Sequence, residues 1–233
     1  MAKLFVALDF DNEEKALEIC QKSKNYIDGY KIGLELFCSC GKDIVNKVAE
    51  FGEVFLDLKF HDIPNTVIKT IESIAKLPVS IINLHALCGS YTMGIVKDSI
   101  KGINPNCKVI GVTMLTSVDN NILKSLNFNS CNVGEQVDIL AELVYNSGLD
   151  GIVCSPQEVI KVKKKFGNDF LTIVPGIRQN TNEKDDQKRV ATPKEAVKNG
   201  ADILICGRPI YNAKDIKQVI LDIKNEMGDI YAR

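Results

Sequence analysis

Two histidines in 233 residues leave a histidine-rich metal site poorly supplied, and His61 and His85 are expected to make structural hydrogen bonds. No C-x-x-C pair occurs among the eight cysteines, so zinc-ribbon or thioredoxin-like chemistry has little support. Cys38 and Cys40 stand two apart, and Cys20, Cys88, Cys107, Cys131, Cys154 and Cys206 are scattered singly. Cys154 and Cys206 lie inside apolar runs and read as small core residues, which suits reduced thiols in a reducing compartment. Charge of one sign is also missing. With 29 basic and 30 acidic residues the chain carries −1, so no global basic field attracts nucleic acid or an acidic membrane. Any anionic ligand must then be held by a local cluster. No apolar run approaches the ~20 residues that cross a bilayer. The N-terminal stretch MAKLFVALDFDNEE meets acidic residues too early for a signal peptide. A soluble cytoplasmic protein without nucleic-acid or membrane partners is expected.

What is present is ordinary in bulk and regular in order. Hydrophobic residues make up 45% and charged residues 25%, enough apolar material for a sizeable core. Short β-rich runs recur at 4–8, 29–33, 54–59, 80–86, 108–115, 150–154, 171–176 and 201–207. Helical periodicity fills stretches between them, at 13–23, 43–51, 67–76, 134–147, 156–166, 194–199 and 215–226. Pro156 and Pro193 stand where helices begin, and Gly148 and Gly200 stand where they end. Near-continuous apolar strands alternating with helices predict a parallel sheet covered on both faces. Eight such units in a chain of this size predict a (β/α)8 TIM barrel, with residues 1–233 as a single domain. A doubly wound open sheet is the alternative, but no G-x-G-x-x-G follows the first strand. No linker, composition shift or internal sequence repeat is seen.

In such a barrel the site lies at the C-terminal ends of the strands. Several of those ends are polar. Asp9 ends the first strand, and Lys31 lies in the second between Gly29 and Gly33, which leave room around a long cation. Asp57 and Lys59 share one face of the third strand, with Leu56 and Leu58 on the other, and Asp62 follows in the loop. Thr116 follows the fifth strand, Arg178 the seventh, and Gly207 and Arg208 the eighth. Each has a plainer reading. Asp9 could start a loop, Lys31 could snorkel, Asp62 could cap the helix near Pro64, and the arginines could be solvated. Four unrelated strand ends placing charges on one rim argue jointly for a site. The long polar loop 177–193 lies beside strand eight, where this fold holds phosphate. Arg178 and Arg208 offer planar forks to an anion, Gly207 permits close backbone approach, and Gln187 could reach back from a loop that acts as a lid.

These residues sit in segments that resemble a known family. ALD at 7–9, YKIGLELF at 30–37, DLKFHDIPNT at 57–66, MLTS at 114–117, VCSPQE at 153–158, PGIR at 175–178, DQKRVATP at 186–193 and GRPI at 207–210 are similar, in order and over nearly the whole chain, to bacterial orotidine 5′-phosphate decarboxylases. Leu87 and Cys88 depart from it, standing where many relatives carry small residues.

The resemblance implies a homodimeric barrel that converts orotidine 5′-phosphate to uridine 5′-phosphate in pyrimidine biosynthesis, with no metal or organic cofactor. It implies Lys59 as the proton donor to C6, Asp57 beside the scissile carboxylate, and Lys31 and Asp62 completing a charged array. Asp62 and Thr66 would be lent to the partner subunit's site. Asp9 and Lys31 would touch the ribose, Thr116 the pyrimidine, and Arg178, Gln187, Gly207 and Arg208 the phosphate. The alternative is a magnesium-dependent sugar-phosphate decarboxylase or aldolase of a related barrel group. That group shares the D-x-K-x-x-D pattern but carries an acid where this chain has Lys31. A barrel that binds a nucleotide without turning it over is the remaining reading.

Overall fold

The computed structural model describes residues 1–129, 132–178 and 190–228. Eight parallel strands run β1 Lys3–Leu8, β2 Gly29–Gly33, β3 Glu53–Phe60, β4 Ile81–His85, β5 Lys108–Val112, β6 Gly151–Val153, β7 Leu171–Val174 and β8 Ile203–Cys206. They pair in chain order, and β8 returns to β1 through Lys3–Val6 and Ile203–Cys206, so the sheet closes. That closure excludes the open doubly wound sheet.

Period-two alternation divides each strand between two cores. Phe5, Phe55, Ile81, Ile110, Ile173 and Ile203 point inward and fill the lower barrel. The other face, including Leu4, Ile32, Leu56, Leu84 and Leu204, packs against the helices in one large buried cluster. Gly29 does not make room for Lys31 as its spacing predicts. A Cβ there would meet the Phe5 ring at 2.7 Å and the Glu53 carbonyl oxygen at 2.6 Å, so Gly29 admits the barrel's floor. Gly33 does serve Lys31, whose Nζ would stand 3.0 Å from an added Cβ.

Among the described residues the helices are α1 Glu13–Ser23, α2 Leu34–Cys40, α3 Asp43–Ala49, α4 Pro64–Ile74, α5 Gly89–Ile103, α6 Asn120–Ser125, α7 Val133–Asn146, α8 Val159–Phe166, α9 Pro193–Lys198, α10 Arg208–Tyr211 and α11 Ile216–Met227. Pro193 opens α9 behind a capping box formed by Thr192 and Glu195, as its position predicts. Pro156 does not open a helix. It lies in a turn closed by the Ser155 N–H donating to the Glu158 carboxylate at 2.7 Å, and α8 starts three residues later. Pro64, by contrast, starts α4 earlier than the apolar periodicity indicates. Gly148 and Gly200 follow α7 and α9 at φ of +75° and +98°, the left-handed values that favour glycine. Leu87 and Cys88 fall in a 3-10 turn, where the Leu87 side chain is exposed.

A repeated device fixes the lower rim, although the sequence shows no internal repeat. Asp28, Asp150 and Asp202 stand immediately before β2, β6 and β8. Each accepts, through its carboxylate, the backbone N–H of the second residue of the preceding strand: Leu4 at 2.8 Å, Val109 at 2.7 Å and Thr172 at 2.6 Å. Each also donates its own N–H to that residue's carbonyl. Lys224, Lys97 and Lys163 pair with the three carboxylates. The motif behind this is short: a small or aliphatic residue, Asp, then the strand.

Candidate active site

The upper mouth of the barrel holds a cavity of about 250 Å³. One wall is charged and built from β1 to β3. Asp57 is 8% exposed, and an isolated carboxylate so buried would be costly. It is not isolated. Lys59 Nζ lies 2.8 Å from Oδ1, Lys31 Nζ lies 3.7 Å from Oδ2, and Asn83 Nδ2 donates to Oδ1 at 2.6 Å. Lys31 also donates to Asp9 at 2.9 Å. Within one chain the array therefore runs Asp9, Lys31, Asp57, Lys59, two anions and two cations with no net charge.

The electrostatics follow from this alternation. Burial by itself would raise the Asp57 carboxyl, but the charges of Lys31 and Lys59, with hydrogen bonds from Lys59 and Asn83, hold it below the ordinary carboxylate range. Burial likewise opposes the charge on Lys31, and Asp57 and Asp9 outweigh it and raise the ammonium above its usual value. Both groups are thus ionised at neutral pH. The Lys59 side chain, 33% exposed, opens toward the cavity.

The backbone at Lys59 is unusual. Its φ is +50°, a left-handed conformation that costs a non-glycine residue roughly 1–2 kcal/mol. The β3–β4 register shifts between Leu56 and Phe60 at the same place. Asn83 is the site residue that sequence reasoning missed. It is fully buried in the middle of β4, and its Oδ1 accepts the Lys59 N–H at 2.8 Å. An amide inside the apolar run SIINLHA was the signal.

The opposite wall comes from later strands. Thr116, Arg178, Gly207 and Arg208 all line the same cavity, over a floor that includes Val153, Ile173 and Ile205. Arg178 is buried, and one of its guanidinium nitrogens donates to the Ile177 carbonyl at 2.8 Å. The two ends of the long loop lie together, with the Arg178 N–H donating to the Ala191 carbonyl at 3.0 Å. Gln187 and the body of that loop, residues 179–189, lie outside the described residues. The space around Gly207 is bounded by Ala7 and Tyr211, 3.3 and 3.4 Å from where a Cβ would stand.

Asp62 and Thr66 do not line the cavity of their own chain. Both are exposed, at the entry and first turn of α4. Asp62 accepts the Ile63 N–H at 2.6 Å and does not cap the helix proper. Exposed apolar side chains lie on that sector of the rim: Leu34, Ile63, Leu87 and Tyr91, which follow the neighbouring strands β2, β3 and β4. His85 accepts the Leu87 N–H through Nδ1 at 3.3 Å, the structural hydrogen bond expected of it, and stacks on His61 at 5.5 Å. Burial, then the neighbouring His61 and Lys59, lower its basicity. Among the described residues no group of three or more His, Cys, Asp or Glu is placed to hold a metal ion.

Fold and cavity together define a (β/α)8-barrel enzyme with its site at the C-terminal ends of the strands. Residues 2–223 match the orotidine 5′-phosphate decarboxylase / HUMPS family, and the chain belongs to that family. It is 42% identical over 227 residues to the orotidine 5′-phosphate decarboxylase of Saccharophagus degradans, covering 97% of this chain and 95% of that one. The Legionella pneumophila (strain Paris) enzyme of the same name is 43% identical over 221 residues, 94% of this chain and 96% of the relative. Among solved structures, orotidine 5′-phosphate decarboxylase from Lactobacillus acidophilus superposes with a TM-score of 0.85 at 38% identity, covering 97% and 99% of the two chains.

Proposed function

We propose that this chain decarboxylates orotidine 5′-phosphate to uridine 5′-phosphate without a cofactor. The observation that carries the reading is the Lys31–Asp57–Lys59 array facing the cavity. The C6–carboxylate bond breaks, CO2 leaves, and the electron pair stays on C6. The Lys59 ammonium, already fixed by Asp57, stabilises that charge without solvent reorganisation and then transfers a proton from Nζ to C6. Lys59 regains its proton from solvent, so one orotidine 5′-phosphate and one proton give one uridine 5′-phosphate and one CO2.

The remaining residues bind and orient. Asp9 and Lys31 hold the ribose hydroxyls, Thr116 the pyrimidine, and Arg178 and Arg208 the phosphate with Gly207 beside them; Gln187 is the further phosphate donor that the family resemblance implies. Remote phosphate binding then contributes to the chemistry by fixing the ring against Lys59. The chain acts as a homodimer in which Asp62 and Thr66 complete the partner's site. Their exposure on a rim sector with Leu34, Ile63, Leu87 and Tyr91 supports this pairing. The magnesium-dependent sugar-phosphate alternative is disfavoured by Lys31. Its ammonium stands between Asp9 and Asp57, where a divalent cation bound to those carboxylates would be repelled.

The test is loss of orotate absorbance when purified protein meets orotidine 5′-phosphate, with and without EDTA, beside Lys59→Ala. Rapid decay that ignores EDTA and vanishes in the variant is expected. Folded wild-type protein without decay would refute the assignment and direct attention to sugar phosphates.

A further inference from the structure

We propose that Asn83 is a positioning residue for the decarboxylation, ordering the bulge of β3 that presents both Asp57 and Lys59. The register carries the argument. Leu56 pairs with Ile82 and Phe60 with Leu84, so Asp57, Leu58 and Lys59 face Asn83 alone. Three residues opposite one cannot complete a backbone ladder. Asn83 supplies the missing partners from its side chain. Its Oδ1 takes the Lys59 N–H at 2.8 Å, and its Nδ2 gives to Asp57 Oδ1 at 2.6 Å.

The orientation of the amide is forced. A backbone N–H can only donate, so the oxygen must face Lys59, and the NH2 then faces a carboxylate that can only accept. Asn83 is fully buried, out of contact with bulk solvent, so losing either bond leaves a buried polar group unpaired. The two bonds serve different ends. One holds Lys59 in its left-handed conformation, which sets the direction in which the side chain leaves the strand. The other occupies the Asp57 oxygen that also receives Lys59 Nζ, fixing the carboxylate's rotation. The ion-pair groups facing this pair are Lys31 on β2 with Asp9 beyond it, and the imidazole of His85 on β4, stacked on His61, lies on the side of Lys59.

The inference rests on the decarboxylase reading, so wild-type turnover is measured first and tests that reading alone. Asn83→Ala is expected to lower kcat roughly 100-fold with KM changed far less, as misplacement by about 1 Å does. Asn83→Asp is isosteric and guards against a variant that fails to fold. Protonated, its carboxyl can accept from Lys59 N–H and donate to Asp57. Ionised, it repels Asp57. Its activity relative to wild type should therefore rise as pH falls, whereas Asn83→Ala should show no such recovery. A crystal structure of either variant decides the geometry with or without turnover: Lys59 should leave its left-handed conformation in Asn83→Ala and keep it in acid-equilibrated Asn83→Asp. Folded variants with wild-type kcat, a loss confined to KM, or Lys59 unmoved in Asn83→Ala would overturn the proposal.

Discussion

Replacing Lys31 with Met keeps most of the aliphatic stem and removes one charge from between two carboxylates. In the wild-type protein its Nζ lies 2.9 Å from Asp9 and 3.7 Å from Asp57, with the side chain only 12% exposed. Removing one partner of a buried pair commonly costs about 3–5 kcal/mol. Here Asp57 keeps Lys59 and Asn83, and Asp9 is half exposed and can rehydrate, so about 2–3 kcal/mol is the better figure. At about 2–4 °C per kcal/mol for a chain of this size, Tm should fall by about 4–12 °C at neutral pH.

The pH dependence fixes the cause. Asp57 is depressed in the folded state, so its contribution is present above the unfolded carboxylate value, about 3.9, and is lost as pH falls through the lower folded value. Lys31 is raised, so its contribution is complete below about 10.4 and is lost only as pH rises through the higher folded value. Both are fully present at neutral pH, where the deficit of Lys31→Met is greatest. In the variant, burial of Asp57 is opposed by fewer partners and its carboxyl rises. Toward pH 4 it therefore protonates before its wild-type counterpart and sheds the poorly compensated charge. Thermal unfolding of both proteins at about pH 7.5 and pH 4 should show the Tm gap shrinking in acid. An equal gap at both values, or none at either, would refute the assignment of Lys31 as the charge that compensates Asp9 and Asp57.

The other expectations concern the far wall and the barrel floor. Arg208→Ala should lower kcat/KM for orotidine 5′-phosphate by about 10–150-fold, equivalent to losing a charge-assisted hydrogen bond of about 1.5–3 kcal/mol. Unchanged kcat/KM would remove Arg208 from the phosphate site. Gly151→Ala would place a Cβ 2.1 Å from the Leu171 carbonyl oxygen, so a loss of about 3 kcal/mol or insoluble expression is expected. Gly94→Ala, in α5 with nothing within 4 Å of the new atom, should raise stability by about 0.4–1 kcal/mol when both variants are unfolded in urea. Equal midpoints for the two variants would refute the packing argument.

Much of the molecule is legible in one dimension because the cause is local. Alternation along each strand fixes which side chains face the barrel interior, so Asp57 and Lys59 can be assigned to one face from their spacing alone. Pro193 and Gly200 mark the ends of α9 through constraints on their own φ angles. The charged rim can be read because ionic residues at the ends of several separate strands have no use in a packed interior.

What the sequence leaves open depends on residues far apart in the chain. Gly29 and Gly33 are chemically identical, yet one admits Phe5 from β1 and the other shelters Lys31, and only the shear of the closed barrel distinguishes them. Asn83 stands in plain view inside an apolar strand, but its use depends on a register shift between β3 and β4 that no local pattern encodes. The Asp28, Asp150 and Asp202 device is hidden for the same reason: each aspartate finds its partner one strand back, 24 to 41 positions away. Sequence determined the elements and their inward faces, because backbone geometry and solvation act over a few residues. Tertiary structure alone decided which inward groups meet, because strand register sets distances that neighbours in sequence do not control.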